Sequence, residues 1–294
     1  MKIGIDLGGS HIGMGLVDEK GKIIKKEEKI INDKTDIKNT IEKFIINKVT
    51  EFNSNNDIDF IGIAIPGTVS ENKVIKAVNL GLEDYNLATI LNEKLGISVK
   101  LKNDAKCSAL AEQKYGELNE FENSAFFCIG TGIGSAVIFN GKLLEPKGVP
   151  GFEISHIIIQ KNGKPCNCGK RGCFETYASL KRFKEKIYSE FNLNGLDNET
   201  IINFIKQNEN NITLKYMINN YIEDLSIGIS NVINIFEPEA ICFGGSFTEY
   251  KDIFEEPLKR AILDGNLLFN KRNDIIIKHA KLGNDAGIIG ATLI

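Results

Sequence analysis

Short apolar runs alternate with glycine-containing turns in two stretches of the chain, and both stretches follow one plan. The first stretch has apolar runs at 3–7, 11–17 and 22–24, separated by Gly8-Gly9-Ser10 and by a turn at Gly21. The second has runs at 125–129, 135–139 and 142–144, separated by Gly130-Thr131-Gly132-Ile133-Gly134 and by Asn140-Gly141. Asn-Gly between apolar runs is a strong hairpin signal. The repetition predicts a duplicated protein with two lobes.

Helical spacing of apolar residues follows each stretch and alternates with short buried strands. The predicted helices cover 35–52, 105–115, 198–220 and 221–236, and the predicted strands cover 60–65, 97–101 and 240–243. Strands that alternate with helices indicate an α/β fold with mixed sheets. We expect a small lobe of residues 1–118, joined by a C-terminal helix at about 284–294, and a larger lobe of residues 119–283.

Composition and charge narrow the class of protein. The 294 residues are 42% hydrophobic and 26% charged, as in ordinary soluble globular proteins. Thirty-six basic residues against 39 acidic ones leave a net charge of −3, which argues against a general electrostatic hold on nucleic acid. No apolar run approaches the roughly 18 residues that cross a bilayer, and no signal-peptide pattern opens the chain. We expect a cytoplasmic protein, large enough for an enzyme, without a nucleic-acid or membrane partner.

Glycines at strand ends let backbone N–H groups approach phosphate oxygens without a Cβ in the way. The candidate nucleotide contacts in three such loops are Gly8, Gly9, Ser10, Thr131, Gly132, Gly244 and Gly245. No Walker motif occurs, and the strand-like run 135–139 stands where a dinucleotide fingerprint requires a helix. One loop alone would be explained as a hairpin turn. The repetition favours a nucleotide held between the lobes.

Asp6 ends the first apolar run, directly before the glycines. Mg²⁺ prefers carboxylates, phosphates and water as ligands, so Asp6 could hold Mg²⁺ directly or through water. The alternative is that Asp6 is an Asx residue that caps the turn.

Asp104 follows an apolar strand and precedes a helix, which leaves two interpretations open. Asn or Asp at this point is what a helix N-cap requires. A carboxylate at a strand end that faces an interlobe cleft is also where a general base for a substrate hydroxyl would lie. Phosphoryl transfer needs little beyond a positioned nucleophile, neutralised phosphates and an aligned acceptor. Asn103 could hydrogen-bond the same acceptor.

A loop that contains several glycines also carries four soft metal ligands. These are His156, Cys166, Cys168 and Cys173. A Cys₃His set favours tetrahedral zinc in a closed, structural site, which leaves no open position for catalysis. The alternative is a chance clustering of core cysteines. We therefore predict a zinc loop at 156–173. For His11 and His279 the sequence reveals no recognisable partner.

Two glutamates flank this loop. Glu153 lies three residues before His156, and Glu175 lies two residues after Cys173, so zinc would bring two carboxylates close together. Exposed acids usually form a solvated face, but acids braced by a metal loop indicate recognition of a polyhydroxylated substrate. Carboxylates accept strong hydrogen bonds from sugar hydroxyls. One nitrogen of His156 could contact the same sugar while the other binds the metal.

Taken together, these motifs resemble the ROK family (repressor, open reading frame, kinase), and the resemblance runs essentially from end to end. It includes Asp6-Leu-Gly-Gly-Ser10, Pro66-Gly67, Asn103-Asp104, Gly130-Thr-Gly-Ile-Gly134, Glu153-Ile-Ser-His156, Gly244-Gly245 and Leu282-Gly-Asn-Asp-Ala-Gly-Ile-Ile-Gly-Ala291. The most specific motif is Cys166-Asn-Cys-Gly-Lys-Arg-Gly-Cys173-Phe-Glu175. The resemblance implies an actin-like, hexokinase- and ribonuclease H-like two-lobed α/β fold with a duplicated mixed β-sheet core, and assembly into a dimer or tetramer.

The resemblance also implies a reaction and roles for individual residues. It implies an ATP- and Mg²⁺-dependent kinase that phosphorylates the 6-hydroxyl of glucose or a related aldohexose, with a structural Zn²⁺. Asp104 would be the base that takes the hydroxyl proton. The sugar contacts would be Gly67, Asn103, Glu153, His156 and Glu175, while Thr131 and Gly132 would hold phosphate and Gly245 would approach the nucleoside.

Other functions stay open within this resemblance. N-acetylmannosamine could be held by the same acids. A sugar-responsive repressor would require a helix-turn-helix before the first glycine loop, whereas five residues precede Asp6. A non-catalytic sugar-binding protein would have no need of Asp104. Family kinases usually carry Thr at Ser10 and Gly at Phe152 and Ser155, and a ring at position 152 could reshape the sugar pocket.

Overall fold

The computed structural model describes residues 1–54, 56–145, 152–266 and 275–294. The chain forms two compact units. The first unit comprises Met1–Glu120, Leu143–Phe152 and Lys281–Ile294, and the second comprises Phe121–Lys142 and Glu153–Ala280.

The first unit contains a five-stranded mixed sheet and a small three-stranded sheet. Its strands are β1 (Lys2–Leu7), β2 (His11–Val17), β3 (Ile23–Ile30), β4 (Phe60–Ile65), β5 (Thr68–Val69), β6 (Val74–Ala77), β7 (Leu82–Tyr85) and β8 (Ser98–Asn103). Its first three helices are α1 (Ile37–Asn53), α2 (Leu87–Leu95) and α3 (Asp104–Tyr115). The five-stranded sheet has the order β3-β2-β1-β4-β8, in which β2 is antiparallel to β1 while β1, β4 and β8 are parallel.

The second unit repeats this plan. Its strands are β9 (Ser124–Ile129), β10 (Ile133–Phe139), β11 (Lys142–Leu143), β12 (Ala240–Gly244) and β13 (Ile276–His279). Its helices are α4 (Phe174–Ala178), α5 (Leu180–Phe191), α6 (Asn198–Gln207), α7 (Ile212–Phe236) and α8 (Lys251–Ala261). The order β11-β10-β9-β12-β13, with an antiparallel β9–β10 pair and parallel β9, β12 and β13, matches the first sheet strand for strand. The predicted duplication and α/β class are confirmed.

Side-chain patterns explain where each strand lies. The apolar residues of β1 and β4 are buried on both faces, as expected for central strands of a parallel sheet. By contrast, β3 contains a run of lysines and glutamates, and it lies at the edge of its sheet, where charged side chains discourage pairing with another chain.

Each unit has its own core. In the first, Ile5 and Ile63 of the sheet belong to one buried cluster with Ile45 and Val49 of α1. In the second, three aromatic rings from different helices pack together. Phe183 of α5 lies with its ring centroid 4.6 Å from that of Tyr221 in α7 and 5.2 Å from that of Phe254 in α8. Aromatic pairs at such distances stabilise a core beyond simple area burial.

The last helix, α9 (Ala286–Ala291), belongs to the first unit and packs against its central strands. The approach is so close that a Cβ at Gly62 of β4 would overlap the carbonyl oxygen of Ala291. Glycine at this position therefore lets helix backbone rest directly on sheet backbone.

Two details refine the sequence predictions. The Asn-rich stretch 198–220 is helical, as predicted, but it divides into α6 and the first turns of α7, which begins at Ile212. The structure gives His279 a partner that the sequence did not reveal, because its Nε2 lies 2.7 Å from Oε2 of Glu255 in α8. That contact joins residues 24 positions apart, so no local sequence pattern could predict it. In the described part of the chain, no helix is long and apolar enough to span a bilayer.

The close approach of α9 makes a stability prediction. We expect Gly62→Ala to lower the free energy of unfolding by about 2 kcal/mol or more, because an added methyl group would displace helix backbone from sheet backbone. The control is Gly130→Ala, where a Cβ would meet no atom within 4 Å. Urea unfolding of both variants measures the difference, and equal midpoints with equal slopes would contradict the packing described for α9.

Candidate functional site

The candidate residues of the first unit lie at the ends of its parallel strands. Asp6 is the penultimate residue of β1, and Gly8, Gly9 and Ser10 form the turn into β2. The Gly8 N–H donates to the carbonyl oxygen of His11 (2.9 Å), so this loop is also a closed hairpin turn. Its role as a phosphate loop stays a prediction.

Asn103 and Gly67 are brought together by the geometry of β4 and β8. Asn103 is the N-cap of α3, and its Oδ1 accepts a hydrogen bond from the Lys106 N–H (3.2 Å). Its Nδ2 donates to the carbonyl oxygen of Gly67 (3.1 Å). Asn103 therefore takes the capping role that the sequence left open for Asp104. The carboxylate of Asp104, the first residue of α3, accepts a hydrogen bond from the adjacent Ala105 N–H (2.8 Å).

Asp6 lies in a poorly solvated place close to a second carboxylate. The pKa of Asp6 is raised to about 7, mainly by burial and also by the charge of Asp104, while Lys26 partly opposes the rise. Two carboxylates that repel each other in a low-dielectric environment are compensated best by a cation. These residues therefore fit the hard, oxygen-preferring Mg²⁺ that the sequence predicts at Asp6.

In the second unit, two glycine loops lie at the same edge of the sheet. β9 leads into residues 130–134, here called the glycine loop, and the parallel strand β12 ends at Gly244 opposite Cys128. Thr131 of the glycine loop and Ser246, which follows Gly245, line one cavity of about 170 Å³. The predicted nucleotide contacts of this unit are thus spatial neighbours, although more than 110 residues separate them.

Glu175 lies against the glycine loop. Its Oε2 accepts a hydrogen bond from the Ile133 N–H (3.0 Å), and a Cβ at Gly132 would overlap the same oxygen. The sequence predicts Glu175 as a sugar contact, and nothing in the sequence pattern indicated this second contact with the loop.

The four predicted metal ligands form one cluster. The ligand atoms of His156, Cys166, Cys168 and Cys173 all lie within 4.8 Å of one another. The Sγ atoms of Cys168 and Cys173 are 3.6 Å apart, and Cys166 Sγ lies 3.7 Å from Nδ1 of His156. Zn–S bonds of about 2.3 Å in a tetrahedron place sulfur atoms about 3.8 Å apart. The cluster therefore fits a four-coordinate zinc ion.

The thiols of this cluster perturb one another. The pKa of Cys173 is raised to about 12, first by burial and then by hydrogen bonds with Cys168 and Cys166. For Cys166, burial acts in the same direction, but hydrogen bonds from the Cys168 N–H and the Thr176 hydroxyl outweigh it and lower the pKa. Thiols packed so closely resist ionisation together, and a bound cation removes that resistance because thiolates are the species that ligate metal.

Positions 152–156 show why the departures from the family pattern matter. Phe152 has a left-handed backbone (φ 67°), a conformation that favours glycine, and the family usually carries glycine there. Ser155 is buried, whereas Glu153 is exposed. His156 directs Nδ1 towards Cys166, which leaves Nε2 as the nitrogen for any sugar contact.

Sequence reasoning missed two residues beside the candidate site. Lys184 of α5 lines the same cavity as Thr131, and its Nζ donates to Oδ1 of Asn198 (2.8 Å). Gly287 of α9 packs against the carboxylate of Asp6, where a Cβ would lie 2.7 Å from Oδ2. Nothing in the sequence distinguished Lys184 from the other charged residues of its helix. Gly287, by contrast, lies in the motif 282–291 that was quoted for the family resemblance.

The metal cluster makes a prediction about composition. We expect purified protein to contain an equimolar amount of zinc, and Cys173→Ser to lose most of it, because a serine hydroxyl is a poor zinc ligand. Elemental analysis and thermal unfolding check both points, since a structural metal contributes to folding free energy. Cys128→Ser, a change in β9 outside the cluster, should keep its zinc. Equal zinc contents in the two variants would overturn the ligand set.

The raised pKa of Asp6 makes a prediction about pH. In the unfolded chain this carboxyl ionises near pH 3.8, but in the folded chain it ionises near pH 7. Its stabilising contribution is therefore complete below about pH 4 and is lost as the pH rises through 7.

We expect metal-free Asp6→Asn to gain stability relative to the wild type between pH 4 and pH 8, by at most about 4 kcal/mol. Urea unfolding at several pH values measures the gain. A stability difference that does not change with pH would show that Asp6 has an ordinary pKa.

Known proteins resemble this chain along nearly its whole length. Glucokinases from Thermotoga maritima and Halalkalibacterium halodurans are 28% and 30% identical to it, over 99% and 98% of this chain and 96% and 92% of their own. The xylose repressor of Bacillus subtilis is 28% identical over 99% of this chain and 76% of its own length.

Solved structures show the same fold. A ROK family glucokinase from Streptomyces griseus, in complex with glucose and AMPPNP, superposes with a TM-score of 0.81 at 24% identity, covering 99% of this chain and 97% of that chain. A proposed N-acetylmannosamine kinase from Listeria monocytogenes superposes with a TM-score of 0.82 at 23% identity, with the same two coverages. The predicted actin-like α/β fold is thereby confirmed. Because the ROK family model matches residues 2–294, this chain belongs to the ROK family.

Proposed function

We propose that this protein is a sugar kinase that transfers the γ-phosphoryl group of ATP, with Mg²⁺, to the 6-hydroxyl of glucose or a related aldohexose. The observation that carries the proposal is the pair of interacting carboxylates, Asp6 and Asp104, at two strand ends of the first unit. A protein that only binds sugar has no need for such a pair, because two carboxylates that repel each other in a poorly solvated place cost stability. Glucokinases among the relatives agree with it.

Asp104 acts as the general base in this proposal. Its carboxylate accepts the proton of the 6-hydroxyl while the hydroxyl oxygen bonds to the γ-phosphorus and the bond to the ADP oxygen breaks. Asn103 is held in one orientation by its bonds to the Lys106 N–H and the Gly67 carbonyl oxygen. One N–H of its amide is therefore left to orient the acceptor hydroxyl.

The remaining roles follow the donor and acceptor chemistry of each group. Bound Mg²⁺ would neutralise phosphate charge beside Asp6, and bound zinc would brace the loop 156–173 without taking part in the reaction. Gly8, Gly9 and Ser10, together with Thr131 and Gly132, present backbone and hydroxyl donors to phosphate, and Gly244 and Gly245 approach the nucleoside. Glu153, Glu175 and Nε2 of His156 bind sugar hydroxyls, and Gly67 lines that site.

Substrate identity has one close competitor, N-acetylmannosamine. The proposed N-acetylmannosamine kinase from Listeria monocytogenes shares the fold. The phenyl ring at position 152 and the buried hydroxyl of Ser155 stand where family kinases usually have no side chain, so they are the features that would alter the choice of sugar.

The xylose repressor of Bacillus subtilis motivates a second candidate function, a sugar-responsive regulator. The two functions differ in one observable. A kinase releases ADP in proportion to sugar phosphorylated, whereas a regulator binds sugar without consuming ATP.

A coupled ADP-release assay across glucose, mannose, fructose, allose, N-acetylglucosamine and N-acetylmannosamine tests the proposal. We expect the highest kcat/KM with glucose or a related aldohexose. ADP release no faster with any sugar than without sugar would refute the kinase. A higher kcat/KM with N-acetylmannosamine would retain the kinase and replace its substrate.

The general base makes a sharper prediction. Asp104→Asn should lower kcat by about 10²- to 10⁴-fold, because the amide cannot accept the hydroxyl proton, while sugar binding measured by calorimetry is largely retained. Asp59→Asn, which removes an exposed carboxylate of the same unit, should leave kcat unchanged. If Asp104→Asn turned over at the wild-type rate, Asp104 would not be the base.

A further inference from the structure

Glu175 makes two connections that its proposed role as a sugar contact does not require. Its Oε2 accepts the Ile133 N–H of the glycine loop at 3.0 Å. Gly132 packs so closely on this carboxylate that a Cβ at position 132 would displace it. Among the residues that the structure describes, Oε1 has no hydrogen-bond partner, so that oxygen is available to a ligand hydroxyl.

The glycine loop is attached to the same segment at its other end. The Lys181 N–H, in the first turn of α5, donates to the carbonyl oxygen of Gly130 (3.0 Å). Within the segment, the Ser179 N–H donates to the carbonyl oxygen of Glu175 (3.1 Å). The beginning and the end of the glycine loop are therefore both bonded to residues 175–181.

This segment is anchored by buried contacts, and it starts at the cluster of candidate metal ligands. Cys173 is a cluster residue and the N-cap of α4. Phe174 is fully buried, its N–H donates to the carbonyl oxygen of Ile157 (2.9 Å), and its ring packs against Gly228 of α7. The backbone of Glu175 is thus fixed on both sides, and its carboxylate has little freedom to leave the loop.

We propose that Glu175 is a positioning residue that couples sugar binding to nucleotide binding, by holding the glycine loop through Oε2 while Oε1 accepts a sugar hydroxyl. The proposal rests on the proposed function, because it takes the glycine loop as a phosphate site and Glu175 as a sugar contact.

The charge of the Glu175 carboxylate determines whether sugar strengthens or weakens nucleotide binding. A carboxylate that faces a phosphate-binding loop repels the phosphates of ATP. A sugar hydroxyl that donates to Oε1 withdraws charge from the carboxylate and orders it against the Ile133 N–H. Sugar therefore strengthens nucleotide binding, and by reciprocity nucleotide strengthens sugar binding to the same extent. ATP bound without sugar is held more weakly, which restrains its hydrolysis.

The experiment measures this coupling directly, on the full-length, zinc-loaded protein. Calorimetry gives the Kd of AMPPNP with Mg²⁺, first alone and then with a saturating amount of the hexose that has the highest kcat/KM. We expect sugar to tighten AMPPNP binding by about fivefold to tenfold in the wild type. In Glu175→Gln the effect of sugar should fall below about twofold, because the repelling charge is gone.

The matched control is Glu190→Gln, which removes an exposed carboxylate from α5 of the same unit. It should retain the wild-type coupling. The zinc contents of both variants should equal that of the wild type, which separates a positioning role from loss of the metal loop. Coupling in Glu175→Gln equal to that in the wild type, or no coupling in the wild type, would overturn the proposal.

Hydrogen exchange adds a measurement that does not depend on activity or on substrate identity. The Ile133 amide should exchange about fivefold faster in Glu175→Gln than in the wild type, because a neutral acceptor makes a weaker hydrogen bond than a carboxylate. Gly132→Ala, which retains Glu175 but displaces its carboxylate, should accelerate the same amide and reduce the coupling. If Glu175→Gln failed to fold, Gly132→Ala would decide alone.

The two proposals fail in different ways. Absence of sugar-dependent ADP release would refute the kinase while leaving the exchange of Ile133 slow in the wild type and fast in the variants. Full kinase activity with an unchanged Ile133 exchange rate and unchanged coupling would refute the role of Glu175 alone.

Discussion

Hydrogen bonding between parallel strands decides where the candidate site residues of the first unit lie. β1, β4 and β8 run in one direction, so their carboxyl ends meet at one edge of the first sheet. Asp6, Gly67 and Asn103-Asp104 follow those ends, although about 60 and 40 residues separate them along the chain. The ladder brings the two carboxylates close enough for the charge of Asp104 to add to the effect of burial, which is the main cause of the raised pKa of Asp6.

The second sheet applies the same rule to a different set of residues. β9 and β12 end beside each other, and their loops line one cavity. To this arrangement the chain adds a metal cluster at the start of α4, and Glu175 connects that cluster to the glycine loop. In the proposed function, zinc held by that cluster would therefore affect both the sugar and the nucleotide through one carboxylate, because anchored neighbours transmit position.

Some of these features were predictable because they are local. Each copy of the three-stranded pattern lies within about 30 consecutive residues. Helix α3 begins directly after a capping residue, and the four candidate metal ligands lie in one short loop. The choice between Asn103 and Asp104 as the N-cap was not predictable, because both side chains are competent and only their orientation in the fold distinguishes them. Likewise, the left-handed backbone at Phe152 explains why glycine suits that position. The presence of phenylalanine there gave no indication of this backbone conformation.

By itself the amino-acid sequence determined the duplicated α/β plan, the cluster of four candidate metal ligands and the strand-end acids, since each depends on residue type and on spacing over a few turns of chain. Tertiary structure alone decided that Glu175 bonds to Ile133, that His279 pairs with Glu255 and that α9 rests on the backbone of β4. Those contacts join residues that are distant in the chain, and their free energies depend on packing and desolvation, which arise only when the whole fold has formed.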